Sequence, residues 1–214
     1  MLNLLFSNPI YFVIYAGCLL MSIAIHECAH ALAADRLGDP TPRLQGRLTL
    51  NPKVHIDLMG MLFLFLIGFG WGKPVVFDPY NLQNPRRDAA WISIAGPASN
   101  FVLALILAIV LRLINLFVPS LLATIGLVII YLIYINVVLG LFNLLPIHPM
   151  DGFKIVGGIL SEEKAEEWNS LQKYGMIFLI LLIFPIFGGR SMIDSIITPA
   201  VNILFNLLVP GGII

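Results

Sequence analysis

Charged side chains are scarce in this sequence. Asp, Glu, Lys and Arg make up 11% of the 214 residues, and 12 basic residues balance 12 acidic ones, so the formal net charge is zero. Proteins that bind nucleic acid normally carry a basic face. No basic stripe is present here, so we expect no nucleic-acid partner.

Cysteine is also rare. Cys18 and Cys28 are the two in the chain, and on one helix they would lie about 15 Å apart. A disulfide requires Cα atoms within about 7 Å of each other. The two cysteines therefore carry no information about an oxidising compartment.

The composition is instead strongly apolar, with 59% hydrophobic residues and a mean hydropathy of +0.94, which is typical of an integral membrane protein. Three apolar runs are long enough to cross a bilayer. They extend from about Pro9 to Leu37, from Pro85 (after a capping Asn84) to about Phe117, and from Leu121 to Leu145. We expect an all-α polytopic membrane protein with three core transmembrane helices.

The motif His26-Glu27-Cys28-Ala29-His30 lies within the first run. On a helix His26 and His30 fall about 40° apart, so both imidazoles can bind one metal ion. Glu27 lies beside that face, where its carboxylate can take a proton from a water molecule that the metal activates. Ionisable residues within a membrane mark a functional site by default. The alternative is a satisfied polar patch between helices.

The loops after the first helix contain two candidate strands with a short apolar segment between them. Arg47–Leu50 and Pro74–Phe77 are bounded by turn residues, and we expect them to pair as a small sheet near the site. The segment Leu58–Trp71 covers only about 21 Å, whereas a hydrocarbon core is about 30 Å thick. We expect it to be re-entrant.

The basic residues predict the orientation of the chain. Four follow the first helix closely and none precedes it, which places both metal-binding histidines in the cytoplasmic third of the bilayer. If Leu58–Trp71 is re-entrant, the second long helix crosses to the outer side and the third returns to the cytoplasmic side. Asp151 then lies on the same side as the histidines. The four basic residues are Arg36, Arg43, Arg47 and Lys53.

Asp151 is the best candidate for a third metal ligand. Two imidazoles and a carboxylate leave a fourth tetrahedral position for water, as in catalytic zinc sites, and this ligand set suits redox-inert zinc better than copper. An ordinary Asp-Gly turn is the alternative for Asp151 and Gly152. In that case His55 or His148 would be next in line as the ligand.

Three motifs follow one another along the chain: His26-Glu27-x-x-His30, Ala95-Gly96-Pro97-x-x-Asn100, and Asn143-x-x-Pro146-x-x-Pro149-Met150-Asp151-Gly152. In this order they resemble the site-2 protease family of zinc intramembrane metalloproteases, over roughly residues 10–157. The resemblance implies one zinc ion, three core helices around it, and cleavage within a transmembrane segment of a partner protein (regulated intramembrane proteolysis). Met150 replaces a leucine common in the family. The chain has no room for the PDZ or CBS modules of longer members, so it resembles the short prokaryotic form.

Further residues are candidates for catalysis or for contact with substrate. Asn143 either donates a hydrogen bond to the developing oxyanion, or holds the substrate, or only caps the third helix. The segments around Arg47 and Val75 can hold an unwound substrate by strand pairing. His55 and Asn100 are candidates for substrate binding or gating, and for His55 the alternative is a structural residue at the membrane interface.

The C-terminal part is expected to add a surface helix and two membrane segments. Ser161 precedes an acidic segment whose apolar residues recur at helical spacing, as in a helix on the membrane surface. The runs Tyr174–Phe187 and Met192–Leu208 each contain a proline and are either a helical pair or distorted spans.

We therefore expect one membrane-embedded protease domain over residues 1–214, with its core at 9–157 and the C-terminal segments at 158–214. It is expected to be a multi-pass protein of the cell membrane whose partners are the lipid bilayer and a transmembrane substrate. Whether it forms a homo-oligomer stays open.

Other classes of function also stay open at this point. A membrane metalloprotease of the prenyl-protein type takes a downstream glutamate as third ligand, whereas the glutamates after Glu27 all lie in one surface-like cluster at 162–167. A transporter with a metal or proton pathway would not require Glu27. A non-catalytic membrane scaffold would not require zinc.

Overall fold

The structure is a computed structural model that describes residues 2–67, 70–184, 191–209 and 211. Three of its helices are long and apolar enough to cross a membrane, as predicted, and the third is extended back to Pro119 by 3₁₀ and π turns. The described α-helices are α1 (Leu2–Ser7), α2 (Pro9–Arg36), α3 (Thr41–Leu44), α4 (Leu58–Ile67), α5 (Pro85–Phe117), α6 (Leu127–Asn143), α7 (Asp151–Ile159), α8 (Glu162–Ser170), α9 (Gly175–Ile183) and α10 (Met192–Leu208).

The ends of α2 lie where the sequence predicts them. Pro9 occupies the first turn, where its missing N–H costs nothing, and the side chain of Asn8 accepts a hydrogen bond from the N–H of Tyr11 at 3.4 Å. After Leu37, Gly38 adopts a φ of +106°, which an L side chain rarely allows. The chain therefore turns away from the helix at this glycine.

Helices α2, α5 and α6 pack against one another and form the core of the molecule. One end of this bundle is apolar, and small residues of α5 lie there in one buried cluster with residues of α6 and α10. The buried cluster at that end consists of Ala104, Ala108, Leu111, Ile129, Ile133, Val137, Val201 and Val209. The polar residues of the bundle lie toward the other end, where α7 packs against α5.

The predicted sheet is wrong for the described part of the chain, which contains no strand. Arg47–Leu50 forms a turn, because the N–H of Arg47 donates to the carbonyl of Pro42 at 2.8 Å and the N–H of Thr49 donates to the carbonyl of Arg47 at 2.9 Å. These backbone groups are therefore satisfied locally rather than across a sheet.

The other predicted strand, Pro74–Phe77, has no strand partner either. Pro74 lacks a backbone donor, and the N–H of Val75 donates to a side chain of α2. What forms nearby is a single antiparallel bridge between Ile56 and Gly72.

That bridge brings together the two ends of the short apolar segment. The N–H of Lys73 donates to the carbonyl of His55 at 2.7 Å, beside the Ile56–Gly72 bridge. Between these ends lies α4, which is ten residues long and is capped by Asp57, whose carboxylate accepts from the N–H of Gly60 at 2.8 Å. The chain therefore enters and leaves this apolar segment at neighbouring positions.

The C-terminal elements pack back onto α7. The indole N–H of Trp168 donates to the carbonyl of Phe153 at 2.8 Å, and the two rings stack at 5.0 Å. Ala165 is buried on the same side of α8. Helices α9 and α10 have 9 and 17 residues, and the predicted run Tyr174–Phe187 extends beyond residue 184, outside the described residues. Two further membrane segments stay a prediction.

Candidate metal centre and active site

Three potential metal ligands meet where α2 and α7 approach each other. The Nε2 atoms of His26 and His30 lie 3.0 Å apart, and Oδ2 of Asp151 lies 3.1 Å from the first and 3.2 Å from the second. Both histidines are buried and Asp151 is half-buried. Among the described residues, no other group of three such side chains lies close enough to share an ion.

Local sequence explains how Asp151 reaches the histidines. Helix α6 ends at Asn143, and the proline-containing loop after it returns the chain so that α7 begins at Asp151 itself. Gly152 lies against the carbonyls of Leu144 and Leu145, where a Cβ atom would overlap them. Gly152 is therefore required by this close approach, beyond the ordinary turn that the sequence alone allows.

The outer nitrogen of each imidazole has an oxygen acceptor. Nδ1 of His26 lies 2.6 Å from Oδ1 of Asn100, and Nδ1 of His30 lies 2.7 Å from the carbonyl of Ile92. A carbonyl oxygen can only accept, so each Nδ1 carries the hydrogen. The Nε2 lone pairs of both rings then point toward each other and toward Asp151.

This arrangement fits a zinc ion. Three lone-pair atoms that face one another at 3.0 to 3.2 Å repel unless a cation lies between them. For zinc–ligand bonds of about 2.0 Å, the ligands of a tetrahedral site lie about 3.3 Å apart, close to the separations found here.

Gly96 on α5 makes room for the two imidazoles. A Cβ atom built at this position would lie 2.5 Å from Cε1 of His30 and 2.6 Å from Cε1 of His26. The sequence predicts either a kink or a close approach of backbone at Gly96-Pro97, and the close approach is what the structure contains. The glycine lets the backbone of α5 pack directly on the face of α2 that carries the two imidazoles.

Glu27 is held by a segment that passes in front of it. Its Oε2 accepts a hydrogen bond from the backbone N–H of Val75 at 2.9 Å. The same segment is fixed farther along, because the ring of Phe77 lies 5.2 Å below the ammonium group of Lys154 on α7. The segment that contains Val75 thus connects the motif on α2 with the helix that carries Asp151.

A buried carboxylate anchors the end of this segment. Asp39 accepts hydrogen bonds from the hydroxyl of Thr41 at 2.6 Å, the side-chain amide of Asn81 at 2.8 Å and the N–H of Asp78 at 2.7 Å. Burial disfavours the charge, yet these donors hold the pKa of Asp39 below its usual value. Asp39 therefore fixes the loop after α2 to residues 78–81.

The other predicted site residues lie outside the ligand cluster. The side-chain amide of Asn143 donates to the carbonyl of Leu139 at 3.0 Å, as a helix-end residue does. Nε2 of His55, which is 1% exposed, lies 2.9 Å from the carbonyl of Thr49. Two more residues make contacts within their own regions: Arg47 donates to the carbonyl of Val54, and His148 lies beside Gln172.

Two polar residues behind the site were not singled out from the sequence. Ser22 and Asn136 are fully buried and join Asn100 in a hydrogen-bonded chain. Each is a polar residue within an apolar helix, and Ser22 lies one turn before His26 on the same face. That spacing is the signal that would have found Ser22.

A profile described as "Peptidase family M50" matches residues 14–126 and 119–184, which is most of the chain. This protein belongs to peptidase family M50. The resemblance to site-2 proteases is thereby confirmed. Membership of M50 and the ligand set together identify a membrane-embedded metalloendopeptidase with Zn²⁺ as its cofactor.

Relatives of this M50 chain include YwhC of Bacillus subtilis, named as a candidate zinc metalloprotease, which is 39% identical over 173 residues, 78% of this chain and 79% of the relative. Rip2 of Mycolicibacterium smegmatis, also named as a candidate zinc metalloprotease, is 30% identical over 205 residues, 94% of this chain and 72% of the relative. The zinc metalloprotease MJ0392 of Methanocaldococcus jannaschii is 26% identical over 202 residues, 94% of this chain and 50% of the relative. No solved structure matches the chain significantly.

Proposed function

We propose that this protein is an intramembrane protease that cleaves a peptide bond within a transmembrane segment of another membrane protein, as in regulated intramembrane proteolysis. The observation that carries the proposal is that Asp151 meets His26 and His30 beside Glu27, and that these last three residues lie on a helix apolar enough to cross a membrane. A peptide bond that reaches such a site lies at membrane depth. Relatives named as zinc metalloproteases support the same conclusion.

His26, His30 and Asp151 are the proposed zinc ligands, and Glu27 is the proposed general base. When bound, zinc polarises the carbonyl of the scissile bond and lowers the pKa of a water molecule toward neutrality. Glu27 takes the proton of that water and returns it to the leaving amine. Its neighbour in the chain, His26, is a ligand, so the base is built into the same helical turn as the metal site.

The oxyanion role of Asn143 stays a prediction. Its amide nitrogen carries two hydrogens, and one of them is used by the carbonyl of Leu139. The second is available for another acceptor without breaking the existing bond. This makes Asn143 a candidate for stabilising the transition state, as the sequence analysis expects.

Substrate binding is proposed to involve the segment around Val75. A transmembrane helix must unwind before its carbonyls are accessible, and an extended chain beside it can hold it open. The N–H of Val75 is taken by Glu27, whereas the neighbouring Val76 is 59% exposed. We infer that Val76 offers its backbone to the substrate. Direct roles for Arg47, His55 and Asn100 in binding or gating stay predictions, and the contacts of Arg47 and His55 favour structural roles.

We further infer that Leu58–Trp71 is re-entrant and that the site lies in the cytoplasmic third of the cell membrane. The adjacent ends of the segment, at Ile56 and Gly72, support an entry and an exit on one side. The ten residues of α4 extend about 15 Å, half of a hydrocarbon core. The distribution of basic residues then assigns that side to the cytoplasm.

The test uses the full chain in lipid nanodiscs with a model transmembrane peptide. Zinc content is measured by elemental analysis and cleavage sites by mass spectrometry. We expect one zinc ion per chain and cleavage inside the apolar part of the peptide. Glu27→Gln is expected to keep zinc, because the ligands remain, and to lower the cleavage rate by a factor of about 10² or more, because the base is lost.

The Glu27→Gln variant also separates the proposed function from the alternatives. Glutamine can still accept the hydrogen bond from the N–H of Val75, so the fold around the site is preserved. Full cleavage by this variant, or a wild-type chain without zinc, would overturn the mechanism. A metal-linked transporter would keep its activity in the variant.

A further inference from the structure

A chain of buried polar side chains leads from the proposed metal site into the apolar bundle. Oδ1 of Asn100 lies 2.6 Å from Nδ1 of His26, and the amide nitrogen of Asn100 donates to Oδ1 of Asn136 at 2.7 Å. The amide nitrogen of Asn136 donates in turn to the hydroxyl of Ser22 at 2.8 Å. Asn100, Asn136 and Ser22 are 0% exposed and belong to α5, α6 and α2, respectively.

The direction of this chain is set at its far end by backbone carbonyls, which can only accept hydrogen bonds. The hydroxyl of Ser22 donates to the carbonyl of Cys18 at 2.8 Å, so its oxygen must accept from Asn136. The amide nitrogen of Asn136 also donates to the carbonyl of Leu132 at 2.8 Å. Both hydrogens of this amide are used, and its oxygen therefore faces Asn100.

The orientation of Asn100 follows from that of Asn136. With its nitrogen toward Asn136, it also lies 3.5 Å from the carbonyl of Ser22. The opposite orientation would place the oxygen of Asn100 against two other acceptor oxygens in a fully buried site. Such an unmet contact is costly in a low-dielectric environment. The oxygen of Asn100 is therefore held toward His26.

We propose that Asn136 is a positioning residue that, through Asn100, holds His26 in the tautomer with hydrogen on Nδ1 and leaves Nε2 free for zinc. The inference rests on the proposed function in one respect, the role of His26 as a ligand. A reversed Asn100 would present N–H groups to Nδ1 of His26 and favour hydrogen on Nε2, which cannot then bind a metal. No hydrogen bond joins Asn136 to either imidazole in the described chain, and the proposed effect on the tautomer of His26 passes through Asn100.

Polar residues within a membrane also hold helices together, and a merely structural role must be distinguished. If Asn136 only joins α6 to its neighbours, its removal weakens zinc binding regardless of what occupies position 100. If Asn136 orients the amide of Asn100, its removal weakens zinc binding only while residue 100 has an amide, whose nitrogen and oxygen can exchange places. A carboxylate has two acceptor oxygens and no orientation to choose.

The experiment is a double-mutant cycle with Asn136→Leu and Asn100→Asp in the full chain. The zinc Kd is measured in nanodiscs by competition with a fluorescent chelator, without reference to cleavage. Asn136→Leu alone is expected to weaken zinc binding about tenfold to a hundredfold, the usual cost of losing a group that orients a metal ligand. In the Asn100→Asp background the same substitution should not weaken zinc binding, because it removes the acceptor oxygen of Asn136 that faces the new carboxylate.

Two further variants serve as controls. Asn136→Asp keeps an acceptor for the nitrogen of Asn100 and has nearly the same shape, so it should bind zinc within about twofold of the original chain. Ile133→Ala removes a fully buried side chain from α6 without touching the polar chain. It should lower thermal stability and leave zinc affinity unchanged. If Asn136→Leu does not fold, Asn136→Ala takes its place in the cycle.

Equal losses of zinc affinity in both backgrounds, or no loss in Asn136→Leu, would overturn the proposal. His26→Ala separates this outcome from a failure of the proposed function. If that variant binds zinc as tightly as the original chain, His26 is not a ligand and the proposed metal site is wrong. If it loses zinc while the cycle shows no coupling, the metal site stands and only the role of Asn136 is wrong.

Discussion

The backbone N–H of Val75 donates a hydrogen bond of 2.9 Å to the carboxylate of Glu27, 48 residues earlier in the chain. A carboxylate at the end of a flexible side chain needs such a partner to point in one direction. The segment that supplies it is anchored by Asp39 at one end and by the carbonyl of His55 at the other. The loops outside the three long helices therefore hold the proposed base in place.

We predict that Val75→Pro lowers kcat for a model transmembrane peptide by about tenfold to a hundredfold, the worth of a hydrogen bond to a charged group. Proline removes the N–H without adding a new polar group. Zinc content should not change, because no hydrogen bond in the described chain joins Val75 to any of the three proposed ligands. Steady-state cleavage and elemental analysis on the same preparation measure both quantities.

Val76→Pro is the matched control, since it removes a neighbouring N–H that has no partner within the described chain. It should leave kcat unchanged and raise KM if Val76 binds the substrate backbone as proposed. A rise in kcat for Val75→Pro would show instead that the contact shields Glu27 from the substrate.

Gly96→Ala is predicted to abolish tight zinc binding. The added methyl group would lie within about 2.6 Å of both imidazoles, so α5 must move away or the rings must rotate off the shared metal position. Gly126→Ala is the control, because its nearest neighbour would be Cβ of Leu122 at an ordinary 3.6 Å. Chelator competition should give an unchanged zinc Kd for Gly126→Ala, and an unchanged Kd for Gly96→Ala would contradict the packing described here.

Much of this architecture could be predicted from the sequence because its signals are local. The spacing of His26 and His30 fixes their common face, and the helix starts at Pro9 and Pro85 follow from proline at the first helical position, although Asn84 makes no side-chain cap bond. Asp151 could be joined to them on the expectation that Leu58–Trp71 is re-entrant, which places Asp151 on the same side. These arguments need only helical geometry and the thickness of a bilayer.

The contacts between distant segments could not be predicted in this way. Arg47–Leu50 has the alternation of a strand, but Pro42 is close enough in sequence to accept its first N–H in a turn. The N–H of Val75 finds Glu27 only because the loop that carries it is held by Asp39. No periodic pattern in the sequence predicts either contact, and none predicts the hydrogen bond between Asn100 and Asn136.

Asp151→Ala is predicted to weaken zinc binding by about tenfold or more, since loss of a direct ligand should cost at least as much as loss of an outer partner. Asp57→Ala is a suitable control, because that carboxylate caps α4 and has no contact with the ligand cluster. It should reduce stability by about 1 kcal/mol and leave the zinc Kd unchanged. Unchanged zinc binding in Asp151→Ala would move the third ligand elsewhere, and His55 or His148 would be tested next.

The proposed re-entrant path of Leu58–Trp71 gives a prediction that a labelling experiment can contradict directly. Single cysteines are introduced at Gln45 and Gln83, which are exposed and lie on either side of the segment, and at Asn115 near the far end of α5. The background lacks the two native cysteines and must retain cleavage. An impermeant thiol reagent should label Gln45→Cys and Gln83→Cys only from the cytoplasmic side, and Asn115→Cys only from the opposite side.

The physical case for this outcome is the length of the segment together with the position of Asp151. Fourteen residues are about 9 Å too short for the hydrocarbon core, and tilting would only increase the length required. Local thinning of the bilayer is the remaining way to cross. A crossing would place Lys73 and the two arginines at 86 and 87 outside, against the distribution of basic residues. Labelling of Gln45→Cys and Gln83→Cys from opposite sides would therefore overturn the topology. It would also require a different third ligand, because Asp151 could not then reach the histidines.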